Sequence, residues 1–123
     1  MNPDWQLVAF VATSDAARSR RFYENVLGLP LISDEAFALI FDAHGTLLRI
    51  QKVDAVAPAP YTVLGWASRD IDADVRALAG KGVAFERYEG MEQDSAGIWR
   101  APDGAKVAWF KDPDGNLLSL SEA

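Results

Sequence analysis

The chain has 123 residues, enough for one domain with a core of its own, and half of them are hydrophobic while 24% are charged. Eighteen acidic residues against twelve basic ones leave a net charge of −6, which argues against nucleic acid as a partner, since phosphate backbones need clustered Lys and Arg. The absence of Cys excludes disulfides, thiolate chemistry and Cys-ligated metals, and no apolar run approaches the ~18–20 residues of a membrane span.

Met1-Asn2-Pro3-Asp4-Trp5 lacks the basic region and apolar core of a signal peptide, so a cytoplasmic protein is expected. Leu7 to Thr13 is a continuous apolar, β-rich run and reads as a strand covered on both faces. Ser14-Asp15 can cap a helix, in which Ser19, Phe22, Tyr23, Val26 and Leu27 form one stripe at helical spacing. Arg18, Arg20 and Arg21 lie off that stripe beside Glu24 and read as a solvated helix face. Gly28 suits the residue after a helix end, and Pro30 opposes continuation.

Three strand-like runs follow: Leu31–Ser33, Phe37–Asp42 and Thr46–Val53, the last two joined by the turn Ala43-His44-Gly45. Val56-Ala57-Pro58-Ala59-Pro60 reads as an extended linker. Tyr61–Ser68 is again a strand. Asp70 is a candidate N-cap for a helix with the stripe Ile71, Val75, Leu78 and Ala79, stopped by Gly80 or Gly82. Val83–Arg87 reads as a strand and Tyr88–Ala96 as a polar loop. Ile98–Ala101 leads into the turn Pro102-Asp103-Gly104, and Lys106–Lys111 with Leu117–Leu120 forms a closing hairpin over Asp112-Pro113-Asp114-Gly115-Asn116.

Asp15 and Asp70 lie 55 residues apart, each after a strand and before a helix, and Gly28 and Gly82 lie 54 apart, each after the helix. Two copies of one βαβββ unit follow. The expected class is α+β: module one over about 5–55, a linker over about 56–60, module two over about 61–123, and two sheets curling around a shared cleft.

Ser14-Asp15, Phe22-Tyr23 and Leu27-Gly28, with Asp70-Ile71-Asp72, Lys81-Gly82-Val83 and Asp112-Pro113-Asp114-Gly115-Asn116, resemble the vicinal oxygen chelate superfamily, the glyoxalase, bleomycin-resistance and extradiol-dioxygenase fold. Gly97-Ile98-Trp99, Pro102-Asp103-Gly104 and Lys106–Asp112 are similar to a small bacterial subset of it. The resemblance implies a divalent metal held by His and Glu from the first and last strand of each module, acting as a Lewis acid. Carried over by counting from the anchors, the positions are Val8, Val63, Ser119, and either Arg49 or Gln51. None is His, Asp or Glu, and the only His, His44, falls in a turn. No metal and no cofactor are therefore expected.

Positions in phase with those four should line the cleft: Val8, Phe10 and Ala12, then Arg49 and Gln51, then Val63, Gly65 and Ala67, with Leu117, Ser119 and Ser121. Ala9, Val11, Leu64 and Trp66 point at the helices. Trp99 and Trp109 serve either as further wall or as core or dimer interface. The candidate ligand-binding set is Phe10, Arg49, Gln51, Val63, Trp99, Trp109 and Ser119, an apolar surface with a few polar groups. Arg49 would suit an anionic or carbonyl-bearing ligand, and the acidic net charge weakly favours a cationic one.

The first expectation is a metal-free small-molecule binding protein, sequestering an aromatic or cationic compound. The second is an enzyme of the family, a metal-dependent lyase, isomerase or dioxygenase with non-standard ligands or one that works without metal, drawing on Asp4, Glu35, Glu86, Glu89 or Glu92, one of which could serve as a general base. The third is an interaction module with a vestigial cleft. The resemblance further implies a homodimer. Nucleic acid and membrane are not expected partners.

Overall fold

The structure, a computed structural model, describes residues 1–123. The chain divides into two compact units, Met1–Ala57 and Pro58–Ala123. No helix is long and apolar enough to cross a membrane.

In the first unit, strand β1 (Val8–Thr13) leads to helix α1 (Ala16–Arg21) and on to β2 (Leu31–Asp34), β3 (Ala38–Ala43) and β4 (Thr46–Lys52). The sheet order is β1-β4-β3-β2, with β1 parallel to β4 and the other pairs antiparallel. Asp15 caps α1 as expected, its Oδ1 accepting from the Arg18 N–H at 3.1 Å. The helix does not run unbroken to Leu27. Phe22–Val26 is a π-helical turn, in which the Leu27 N–H reaches back to the Phe22 carbonyl at 3.0 Å. The expected stripe still packs inward: Ser19 and Tyr23 are fully buried, and the Tyr23 ring lies 6.0 Å from that of Phe41. Gly28, at φ +74°, lets the chain turn back, and Leu29 donates to the Tyr23 carbonyl.

Register explains which face is core. Val11, Ile50 and Leu39 form one cross-strand row, and Leu48 with Phe41 belongs to the next row on the same side. All five are buried. Each such side chain contributes about 1.5–3 kcal/mol by leaving water. The β3–β4 turn is the two residues His44-Gly45, both at positive φ, the geometry that matches the natural strand twist. His44 is exposed there, as the turn reading requires.

The second unit repeats the order. Strand β5 (Leu64–Ala67) precedes α2 (Ile71–Gly80), and β6 (Trp99–Arg100), β7 (Lys106–Lys111) and β8 (Leu117–Glu122) complete a sheet ordered β5-β8-β7-β6. Asp70 caps α2, its Oδ1 accepting from the Ala73 N–H at 3.1 Å, and Glu122 Oε1 accepts from the Ile71 N–H at 2.9 Å. Gly82, at φ +94°, takes the position after the helix; α2 itself includes Gly80.

Two strand expectations need correction. Tyr61–Ser68 is a strand only from Leu64 to Ala67, preceded by the Val63 N–H on the Leu117 carbonyl. Val83–Arg87 is not a strand. Phe85 makes one bridge to Phe110, Glu86 donates to the Trp109 carbonyl, and the chain then leaves the sheet. Side chains pull it away: Arg87 donates to the carbonyls of Asp94 and Ser95, both at 2.7 Å. The edge of β7 is thus filled in two pieces, Phe85-Glu86 at one end and β6 at the other.

Candidate functional site

The sheet face of the first unit that turns away from Tyr23 carries Val8, Phe10 and Ala12 on β1. Opposite them stand Leu47, Arg49 and Gln51 on β4. Phe10 pairs with Arg49, which pairs with Ile40 on β3. Phe10 is 51% exposed and Ile40 only 4%, so the row runs from open to covered with the half-buried Arg49 between. Gln51 lies two residues along, exposed, opposite Ala12.

In the second unit, Gly65 pairs with Ser119, and Ser119 with Trp109 on β7. Gly65 matters here because a Cβ on it would lie 2.7 Å from Ser119 Oγ. The bare backbone leaves the hydroxyl that space. Trp99 is in phase with Trp109 through Val107, and the two rings sit 6.0 Å apart. Val63 lies two residues before Gly65 and continues its phase.

The two units fix the register that the sequence left open. Val8 and Val63 each lie seven residues before the capping aspartate, so Phe10 corresponds to Gly65. Phe10 pairs with Arg49 as Gly65 pairs with Ser119. The residue equivalent to Ser119 is therefore Arg49 and not Gln51. The four positions that the resemblance assigns to metal ligands hold Val8, Arg49, Val63 and Ser119. Valine has no donor atom, guanidinium stays protonated, and an un-ionised hydroxyl is a poor ligand, so these residues do not fit a divalent metal. No three His, Cys, Asp or Glu side chains converge anywhere in the chain to hold one.

Sequence reasoning missed two residues of this face. Tyr88 lies in the loop expected over Tyr88–Ala96, and its ring packs edge-on against Trp109 at 5.5 Å, giving a trio with Trp99. Burial, reinforced by the Glu86 carboxylate, pushes the Tyr88 phenol above its ordinary value, so it remains a neutral donor through neutral pH. The loop is held by Gln93, whose Nε2 donates to the carbonyls of Glu86 and Gly97, both at 2.9 Å. Its Oε1 accepts from the Tyr88 N–H at 2.8 Å. Nothing in the sequence marks Gln93, because its partners are backbone atoms brought near only by the fold. Gly97 is buried at φ +95° and packs on Phe85, a close approach only glycine allows.

Lys111 on the same face pairs with Glu86 at 3.4 Å. The opposite side of this sheet, beside α2, carries a groove of about 280 Å³ lined by Asp72, Glu92, Asp94, Ile98, Arg100 and Lys106. Lys106 spans it with an ion pair to Asp72 at 3.0 Å and holds that carboxyl below its ordinary range. None of the expected ligand-binding residues reaches this groove.

A family model described as Glyoxalase/Bleomycin resistance protein/Dioxygenase superfamily matches residues 6–120. Among solved structures, a lactoylglutathione lyase from Agrobacterium tumefaciens is similar at 17% identity, TM-score 0.75, over 99% of this chain and 96% of that one. A glyoxalase/bleomycin resistance protein/dioxygenase from Alicyclobacillus acidocaldarius is similar at 21% identity, TM-score 0.70, over 98% and 92%. A superfamily member from Sphaerobacter thermophilus reaches 25% identity, TM-score 0.71, over 97% and 98%. No curated protein matches the sequence.

Proposed function

The chain belongs to the Glyoxalase/Bleomycin resistance protein/Dioxygenase superfamily, and we propose that within it this protein binds a small molecule without a metal, holding an aromatic or cationic compound on its open sheet faces. The observation that carries this reading is the trio Tyr88, Trp109 and Trp99 beside Ser119, at a position where the resemblance expects a metal ligand. Aromatic walls bury a planar ligand or attract a cation through their ring faces. The Ser119 hydroxyl and the neutral Tyr88 phenol supply the few polar contacts that orient it. The net charge of −6 raises the local concentration of cations. The same face lacks an imidazole, and its Glu86 is tied to Lys111, which favours sequestration over acid–base turnover.

The test is a tryptophan-fluorescence titration with a panel of aromatic compounds, neutral and quaternary-ammonium. At least one should quench saturably with a Kd below millimolar. Trp109→Ala should weaken that binding by about tenfold while leaving the far-UV circular dichroism unchanged. No saturable binding by any member of the panel would remove the reading.

A further inference from the structure

Arg49 carries a charge on an otherwise apolar part of the first unit's sheet. Across the strands it faces Phe10 and Ile40, and its nearest neighbours on that face are Val8, Ala12, Leu47 and Ala38, with the Gln51 amide two residues along. The Arg49 side chain is half-buried and makes no ion pair or hydrogen bond within the chain. Asp42, the acidic residue on the same face, instead accepts from the Gly45 N–H through Oδ1 at 2.7 Å. A guanidinium cannot shed its proton, and holding one among apolar groups without a partner is costly. Leucine or methionine would fill the row without that cost.

We propose that Arg49 is an anion anchor, binding the carboxylate of a planar ligand whose body lies on the half-exposed Phe10 ring; this rests on reading the sheet face as a ligand-binding surface. The register supplies the reason for the location. Arg49 stands where the resemblance expects a module-one metal ligand, so a fixed guanidinium provides positive charge where a metal-bearing relative would use an ion. Its parallel N–H groups match the two oxygens of one carboxylate. Gln51, roughly 7 Å along the strand, can donate to a second acceptor on the ligand. The overall charge of −6 sets a limit: a single carboxylate is held locally, whereas polyanions are repelled.

Three probes of one shape and different charge test this: 2-naphthoate, 2-naphthamide and 2-naphthylmethylammonium, each titrated into the ¹⁵N-labelled protein. Naphthoate should bind most tightly, shifting the amide signals of Phe10 and Arg49, and added salt should weaken it. Arg49→Gln should weaken naphthoate by about tenfold and leave naphthamide unchanged, and Arg49→Lys should fall between, keeping the charge but losing the fork. Unchanged naphthoate binding in Arg49→Gln, with the Leu48 and Ile50 signals native, overturns the anchor. Binding of the neutral or cationic probe at Phe10 without naphthoate overturns it too, while leaving the ligand-binding reading in place. If none of the three shifts this face, the anchor falls, and the tryptophan-fluorescence titration alone decides the ligand-binding reading carried by the second unit's aromatic trio.

Discussion

Gly65 and Ser119 show how one missing Cβ shapes the second unit's face. They are partners across the parallel β5–β8 ladder, and Ser119 Oγ occupies the volume a side chain on residue 65 would need. Gly65→Ala should therefore turn the Ser119 hydroxyl to another rotamer and cost less than about 1 kcal/mol in thermal or urea unfolding, because the contact is with the end of a short side chain that can rotate. Ser119→Ala removes the clashing oxygen and leaves its own Cβ 3.9 Å from the new one, an ordinary contact. The double variant should accordingly be more stable than Gly65→Ala alone, giving a coupling of about 0.5 kcal/mol. Purely additive effects would mean that the hydroxyl does not fill the gap.

The strongest local device at the scale of an element is the β7–β8 connection. Asp112 is 5% exposed, yet its carboxylate is fully engaged: Oδ1 accepts from the N–H groups of Asp114 and Asn116, both at 3.0 Å, and Oδ2 from the Asn116 side chain at 2.9 Å. The backbone closes the same loop, with the Asp112 N–H on the Asn116 carbonyl at 3.0 Å. This turn sets the register that places Trp109 opposite Ser119. Asp112→Ala should cost about 2 kcal/mol in urea unfolding by orphaning those donors, and Asp112→Asn, which keeps one acceptor oxygen, should cost less. Equal losses in the two variants would mean that shape and not hydrogen bonding holds the turn. The edge of β7 shows the opposite case, because there side-chain bonds from Arg87 and Gln93 override the strand preference of Val83 and Phe85.

Each unit has the same strand order, with its first strand parallel to its last. Over the whole molecule that repeat is what lets Val8, Arg49, Val63 and Ser119 be compared position by position. A donor set without imidazole or carboxylate has a direct consequence for metal. Protein purified without a metal-affinity tag should carry far less than one transition metal per chain by elemental analysis, and a chelator should leave its melting temperature unchanged. Close to one metal per chain would show that the ligands come from other residues, and would bring a metal-dependent lyase, isomerase or dioxygenase to the front.

The sequence by itself determined both helix caps, the His44-Gly45 and Asp112–Asn116 turns, and the absence of His, Asp and Glu from the positions that the resemblance assigns to metal ligands. These follow from covalent identity and short-range geometry: a carboxylate three residues from an amide, a φ that glycine takes readily. Only the tertiary structure decided the rest. The choice of Arg49 over Gln51 required the β1–β4 pairing, since a strand's own sequence does not state its partner. The recruitment of Tyr88 to the tryptophans depended on Gln93 bonding to carbonyls at Glu86 and Gly97. Val83–Arg87 has the composition of a strand, but a strand needs a continuous neighbour, and β7 gives it only one bridge because β6 takes the rest of that edge.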